Sequence, residues 1–292
     1  MKRIITGAVA LMLAISAFGC TKSPKKILSE AFETLNDAES MHMEMDVHVV
    51  AQIRTGSDTD ADTDTAAILM RESMDCHKPT ETMQIDVSAQ YEGADQTDLT
   101  PVIQYRIFRD GDGRKSAMSY DGETWYSTSL SGLSGVAYQD PATQIDMFFA
   151  RGDRFSPVGT EELDGAAVTV YAGAFDSKSM QEILGRYLSQ SGVPLITFKD
   201  ELWAELPDVN LRIAVDRAGY PVMIEIEAAA FMQKLFNHLL SGLQQDAEFT
   251  ISELTFTFRY SGFNTVDEIP APDNLQDDPG YFSGLTPSML LP

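Results

Sequence analysis

The chain has very few cysteines. Its 292 residues include only Cys20 and Cys76, whereas small exported domains that rely on disulfides carry several pairs. Cys20 ends an apolar run in a pattern typical of lipid attachment, which would leave Cys76 without an intrachain partner. Cys76 lies in an apolar alternation, and we interpret it as a small core residue. The sequence therefore excludes a disulfide framework.

Basic residues are also scarce. Lys and Arg number 21 against 44 Asp and Glu, for a net charge of −23. An acidic surface is repelled by phosphate backbones and by anionic membranes, so nucleic-acid binding is excluded. The chain is nevertheless 43% hydrophobic with 15 Phe, which is enough for a packed core. We expect a monomer.

Common catalytic motifs are missing from the sequence. Gly-x-Ser-x-Gly, His-Glu-x-x-His and Cys-x-x-Cys do not occur, and there are only four histidines. Nucleophilic and metal-assisted hydrolases depend on such patterns. The sequence therefore predicts a protein that is not an enzyme and that uses no cofactor and no metal.

An acidic loop at residues 57–65 resembles a calcium loop because oxygen-bearing side chains recur at every second position. The EF-hand form requires Gly at position six and Glu at position twelve. Counted from Asp58, those positions hold Thr63 and Leu69. We interpret the segment as a solvated hairpin loop, with a weak calcium site as the alternative.

A second polar pattern places four potential metal ligands at alternate positions of one strand: His42, Glu44, Asp46 and His48. Alternate residues of a strand lie on the same side, so two of them can share a zinc ion. The solvent face of an amphipathic strand has the same pattern. We interpret these residues as that face.

Long apolar runs are absent except near the N-terminus. Residues 4–18 form an uncharged, mostly apolar run after Lys2 and Arg3, too short for the ~20 residues of a membrane-spanning helix but typical of a signal peptide. The Ala-Phe-Gly-Cys sequence at residues 17–20 resembles the bacterial lipobox, in which the cysteine thiol receives diacylglycerol before cleavage. We predict a signal peptide at 1–19, a lipidated Cys20 and a tether at 20–26. A plain secreted protein is the alternative.

This prediction places the protein on the extracytoplasmic face of the cell membrane, anchored by its N-terminal lipid. Two acyl chains suffice for stable anchoring, at ~0.8 kcal/mol per buried CH₂ group. Cleavage would remove two basic residues and leave a charge of −25. No later apolar stretch is long enough to span a bilayer, so the rest of the chain is expected outside the membrane.

Most of the remaining sequence alternates with the period of a β-strand. Met41, Met43, Met45, Val47 and Val49 alternate with polar residues, and similar alternation recurs in roughly ten segments. Helical spacing is confined to residues 27–39, 177–189 and 228–243. No break in composition divides the chain, so we predict one domain at 27–274 and a loose tail at 275–292.

Ten antiparallel strands with one apolar side each favour a single large curved sheet, an α+β fold that is mostly antiparallel β. The helical segments are too few to cover such a sheet thickly. We therefore expect an incompletely filled concave face, where a ligand could bind.

Three short motifs then point to a known family. Residues 120–126 (YDGETWY) resemble its "dG..wY" hairpin, residues 215–222 (VDRAGYPV) its "D..g.P" hairpin, and residues 260–270 (YSGFNTVDEIP) its "y.d.N.v..I..P" ending. The chain thus resembles the LolA/LppX-like lipoproteins, in particular a set of Gram-positive members, over residues 25–273. The resemblance implies an open half-barrel of about eleven strands wrapped around a few helices. It also implies an apolar cavity for lipid or acyl chains, and it carries over no catalytic residues.

The methionine-rich strand faces are the expected ligand site, because Met adapts to variable apolar shapes. The predicted lining residues are Met43, Met45, Val47, Met70, Met74, Ile85, Val87, Ile103, Tyr105, Phe256 and Phe258. The predicted lid is the leucine stripe of residues 228–243, with Phe231, Leu235, Leu239 and Leu243. One alternative is that the methionines simply pack under the helix at 27–39. Another is a scaffold that meets a cell-envelope protein partner.

Overall fold

The computed structural model describes residues 22–55, 62–92, 100–111, 113–128, 141–190, 200–240 and 247–277. Cys20, most of the acidic loop at 57–65 and the tail from residue 278 lie outside this part of the chain. The predictions made for them therefore remain predictions.

One twelve-stranded sheet dominates the structure, in the order β12-β6-β5-β4-β3-β2-β1-β11-β10-β9-β8-β7. Its strands are β1 Ser40–Thr55, β2 Asp62–His77, β3 Thr82–Glu92, β4 Thr100–Asp110, β5 Gly113–Ser119, β6 Trp125–Thr128, β7 Ser156–Leu163, β8 Ala166–Phe175, β9 Val209–Val215, β10 Pro221–Glu227, β11 Ala247–Ser261 and β12 Leu275–Gln276. β12 and β7 form the two edges, so the sheet is open. Every neighbouring pair is antiparallel except β12 with β6.

The strand count differs slightly from the expected eleven. Eleven strands run antiparallel, and the two-residue β12 adds a twelfth beside β6. The sequence predicts a loose tail from residue 275, but Leu275 packs against the cluster of Phe108, Ala117 and Trp125. Leu275 covers apolar side chains of β4, β5 and β6. This packing explains why a strand forms after residue 274.

Within the described residues, five α-helices accompany the sheet: α1 Pro24–Asp37, α2 Pro141–Phe149, α3 Ser177–Gln190, α4 Asp200–Glu205 and α5 Ala229–Leu240. The same part of the chain has two 3-10 turns, at Lys78–Thr80 and Gly152–Arg154. α1 begins where Ser23 caps it, its hydroxyl accepting a bond from the Lys26 amide at 3.3 Å. Leu28, Ala31 and Leu35 of α1 are buried in the same core as Met41 and Cys76, so α1 packs on the side of the sheet that carries these two residues.

The closing motif at residues 260–270 joins three distant segments. Asn264 adopts a left-handed backbone with φ 58°. Its amide donates to the Ser40 carbonyl at 2.8 Å, and its side-chain Oδ1 accepts from the Glu39 amide at 2.7 Å. Further along, the Ile269 amide donates to Thr82 Oγ1 at 3.1 Å. The motif therefore fastens the chain after β11 to the starts of β1 and β3.

The hairpin motif at residues 120–126 is a turn built on Asp121. Its carboxylate accepts backbone amides from Thr124 at 2.7 Å and Glu123 at 2.9 Å. These hydrogen bonds lower the pKa of Asp121 to about 2, because they stabilise the ionised form. Gly122 takes φ +74°, a conformation that glycine adopts without strain.

Among the described residues, no helix combines the length and hydrophobicity that crossing a bilayer requires.

Candidate functional site

The strand register places all eleven predicted lining residues on one face of the sheet. Met43 lies opposite Met74, which lies opposite Ile85, which lies opposite Tyr105. Directly paired residues of neighbouring antiparallel strands point to the same side. The next rows contain Phe258, Met45, Val87 and Ile103, and then Phe256, Val47 and Met70. We call this side the inner face.

Burial along the inner face is uneven. Among the predicted lining residues, the row nearest the start of β1 is the most buried. Its residues Met43, Met74 and Tyr105 are 3%, 4% and 6% exposed. Val47 is buried as well. The remaining seven residues are only partly buried: Met45, Met70, Ile85, Val87, Ile103, Phe256 and Phe258. These seven form what we call the inner strip. It runs from β4 through β3, β2 and β1 to β11, across four strand spacings or ~19 Å.

One charged residue interrupts the inner strip. Glu72 of β2 lies opposite Met45 on one side and Val87 on the other, and Met70 and Met74 are its neighbours on the same face of β2. Within the described part of the chain, Glu72 has no hydrogen-bond or ion-pair partner. Burial among these apolar side chains raises the pKa of the Glu72 carboxyl, because desolvation disfavours the charged form.

The sequence patterns do not single out Glu72. The alternation of β2 is apolar at 68, 70, 74 and 76, and position 72 is the polar exception on that side. A charged residue at an apolar position of a strand is the signal that could have identified it.

Tyr260 is a second polar group on the inner face, paired with Met43 on β1. It is 3% exposed, and within the described residues its hydroxyl has no hydrogen-bond partner. Burial raises the pKa of Tyr260. An unsatisfied buried hydroxyl is uncommon in folded proteins, so Tyr260 is a candidate ligand contact.

The predicted lid helix, α5, lies where β11 begins, next to the last residues of β1. Phe231 and Leu235 of α5 are 1% and 7% exposed and belong to the core. Gln233 fixes the helix to β11: its Nε2 donates to the Phe249 carbonyl at 2.8 Å, and its Oε1 accepts from the Ile251 amide. The side chain of Leu239, and all of Leu243, lie outside the described residues.

A separate cleft lies between α1 and the β9–β10 turn. It has a volume of about 340 Å³, near the lower limit of small-molecule sites. Its lining is mixed, with Ile27 and Tyr171 beside Lys22, Glu30 and Arg217. Lys22 and Glu30 already form an ion pair with each other at 2.6 Å. Neither charged group is therefore left unpaired for a ligand.

The outer face carries the polar pattern of β1. His42 Nδ1 lies 2.7 Å from Asp75, and Asp46 accepts from Arg71 and Arg259 at 2.7 and 2.8 Å. His48 lies 3.4 Å from Glu253. His42, Asp46 and His48 thus each have a protein side chain as partner. Among the described residues, no three His, Cys, Asp or Glu side chains are grouped closely enough to hold a metal ion.

No family model and no curated protein matches the sequence. Solved structures do resemble the fold. Lipoprotein LppX of Mycobacterium tuberculosis is 12% identical, over 84% of this chain and 98% of LppX, with a TM-score of 0.37. LprF from Mycobacterium bovis is 13% identical over 85% and 96%, also with a TM-score of 0.37. A LolA superfamily protein from Nitrosomonas europaea is 15% identical over 86% and 96%, with a TM-score of 0.20.

LppX and the LolA superfamily protein carry the names of the family that the sequence motifs resemble. At TM-scores below 0.5 the likeness carries no argument about ligand or function. The predicted fold class is confirmed by the sheet itself: it is open, almost wholly antiparallel and accompanied by few helices.

Proposed function

We propose that this chain is a membrane-anchored extracytoplasmic lipoprotein whose inner face binds an apolar ligand, a lipid or an acyl chain, without catalysing a reaction. The anchor is the diacylglycerol on Cys20, proposed from the lipobox-like sequence at residues 17–20. The ligand is held non-covalently, with α5 as the lid at one end.

One observation carries the ligand-binding proposal: the partly exposed inner strip. Seven apolar side chains on five adjacent strands, among them Met45, Met70 and Phe256, stay partly accessible. Contiguous apolar surface that keeps contact with water is a mark of binding sites in soluble domains. Methionine and phenylalanine in such a surface can adapt to flexible chains.

A fluorescence titration tests this proposal. N-phenyl-1-naphthylamine, an uncharged apolar dye, should bind the purified full-length protein with increased emission. Met45→Gln adds a polar amide to the inner strip and should weaken dye binding about tenfold, since burial of a Met side chain contributes about 1.5–3 kcal/mol. The control is Val158→Gln, because Val158 of β7 is already 58% exposed and its substitution should leave binding unchanged.

No dye binding by a folded wild-type protein would contradict the proposal and favour the scaffold for an envelope protein partner. Equal effects of Met45→Gln and Val158→Gln would show that the dye binds elsewhere, and would also contradict it.

A further inference from the structure

Glu72 is surrounded by apolar side chains on every side that the sheet defines. Its cross-strand neighbours are Met45 and Val87, and its same-face neighbours on β2 are Met70 and Met74. Along the same row, the next side chains are Ile103 beyond Val87 and Phe258 beyond Met45. The carboxyl group therefore lies at the middle of the inner strip, about two strand spacings or ~10 Å from either end.

Unlike Glu72, carboxylates on the outer face have ion-pair partners. Asp46 is held by two arginines, Asp75 by His42, and Glu225 by Arg212 at 3.2 Å. Glu72 has no such partner in the described part of the chain. A carboxylate that loses water without gaining a partner is destabilising, whereas a Met or Gln at position 72 would avoid that penalty.

The carboxyl group also stands where a bound chain would pass. Any apolar molecule that covers the inner strip must lie over Glu72, since the partly exposed residues flank it on both sides. Such a molecule would remove the remaining water from the carboxyl group. Its binding is favourable at this point only if it brings a cation or a hydrogen-bond donor.

We propose that Glu72 recognises the head group of the ligand, and that the ligand is a cationic amphiphile that carries an ammonium group beside its alkyl chain. This inference rests on the proposed ligand-binding function of the inner strip. The apolar strip takes the chain, and the Glu72 carboxylate pairs with the ammonium. The net charge of −23 attracts such a ligand and repels anionic amphiphiles such as fatty acids.

Competition between three twelve-carbon amphiphiles tests the inference. Dodecylammonium, dodecanol and dodecanoate share a chain and differ in head-group charge. Each is used to displace N-phenyl-1-naphthylamine from the full-length protein, the two ions below their micelle concentrations and dodecanol below its solubility limit. Wild-type protein should prefer dodecylammonium to dodecanol by about tenfold or more and bind dodecanoate most weakly, since a charge-assisted pair shielded from water contributes more than a neutral one.

Glu72→Gln is the decisive variant because it keeps the shape of the side chain and removes its charge. We expect it to abolish the preference for dodecylammonium over dodecanol while dye binding persists. The control is Glu253→Gln: Glu253 pairs with Val50 of β1 on the outer face, and its substitution changes the net charge by the same amount. The thermal unfolding temperature of Glu72→Gln should not fall below that of the wild type, because no described partner of Glu72 is lost.

The two proposals fail in different ways. An unchanged dodecylammonium preference in Glu72→Gln, or an equal loss in Glu72→Gln and Glu253→Gln, would overturn the role of Glu72 while dye binding still supports an apolar site. Absence of dye binding in the wild type would overturn the apolar site itself.

Discussion

Asn264 shows how a single side chain can hold distant segments together. Its Oδ1 accepts the Glu39 amide and its own amide reaches Ser40, while its backbone has the left-handed φ of 58° that asparagine tolerates better than most residues. The motif in which it lies was identified from the sequence. Its role as a clamp between the end of β11 and the start of β1 depends on contacts between residues more than 200 positions apart, which no local pattern encodes.

Asn264→Ala should therefore lower the free energy of unfolding by about 1–2 kcal/mol, through the lost hydrogen bond to Glu39 and the strained backbone. Urea denaturation measures the change. Asn264→Gly separates the two causes, because glycine accepts the backbone conformation and removes only the side-chain bond; its loss should be smaller. Wild-type stability in Asn264→Ala would show that the clamp is dispensable.

His42 provides a test by pH. The Asp75 carboxylate, 2.7 Å from Nδ1, and then Glu44, at 3.7 Å from Nε2, raise the pKa of His42 above 6.5. The protonated ring is thus favoured in the folded state. Its contribution to stability is fully present below about pH 6.5 and is lost as the pH rises through the higher folded-state pKa.

A proton NMR titration of His42 should give a midpoint above 6.5 in the wild type and a lower one in Asp75→Asn, where the main partner has lost its charge. Identical midpoints in the two proteins would mean that Asp75 does not control this histidine.

Glu72 marks the limit of prediction at the residue scale. The alternation of β2 gives the side on which position 72 lies, but only the register with β1 and β3 shows which residues surround it. Pairing depends on turn lengths and on long-range packing. Met43 is buried and Met45 is partly exposed, although they lie two residues apart on the same face. The alternation pattern does not predict this difference.

At the scale of secondary structure, the long strands were predictable and the short elements were not. β1, β2, β3 and β11 contain 11 to 16 residues each, and their period of two is clear over that length. α4 has six residues and β12 has two, so neither shows a recognisable period. Tertiary packing fixes these elements instead.

The docking of α1 depends on a close approach at Gly152. A Cβ atom there would lie 2.9 Å from the Lys25 Cα and 3.5 Å from the Leu28 Cβ, so α1 would have to move. Gly152→Ala should lower the free energy of unfolding by about 1–3 kcal/mol, as overpacking does. Chemical denaturation measures the loss.

Gly185 of α3 is the matched control, because a Cβ there would meet nothing within 4 Å. Gly185→Ala should stabilise the protein slightly, by up to about 1 kcal/mol, since alanine favours helix. If both variants behaved alike, the close contact between Gly152 and α1 would not be limiting.

At the scale of the whole molecule, we propose a lipid anchor at Cys20 that would hold the open sheet close to a membrane surface. The anchor is testable through Cys20. Wild-type protein expressed in a bacterial host should partition into the detergent phase of Triton X-114, because two acyl chains anchor stably. Cys20→Ser should move it to the aqueous phase. Equal partitioning of both proteins would contradict lipidation at this residue.

The most direct test of ligand binding is native mass spectrometry of the full-length protein purified from cells, followed by solvent extraction and analysis of what is released. The proposed function predicts a species heavier than the acylated polypeptide by the mass of a bound amphiphile, which extraction removes. Protein that carries only its own polypeptide and acyl mass in every preparation, and that takes up no added apolar probe, would contradict it.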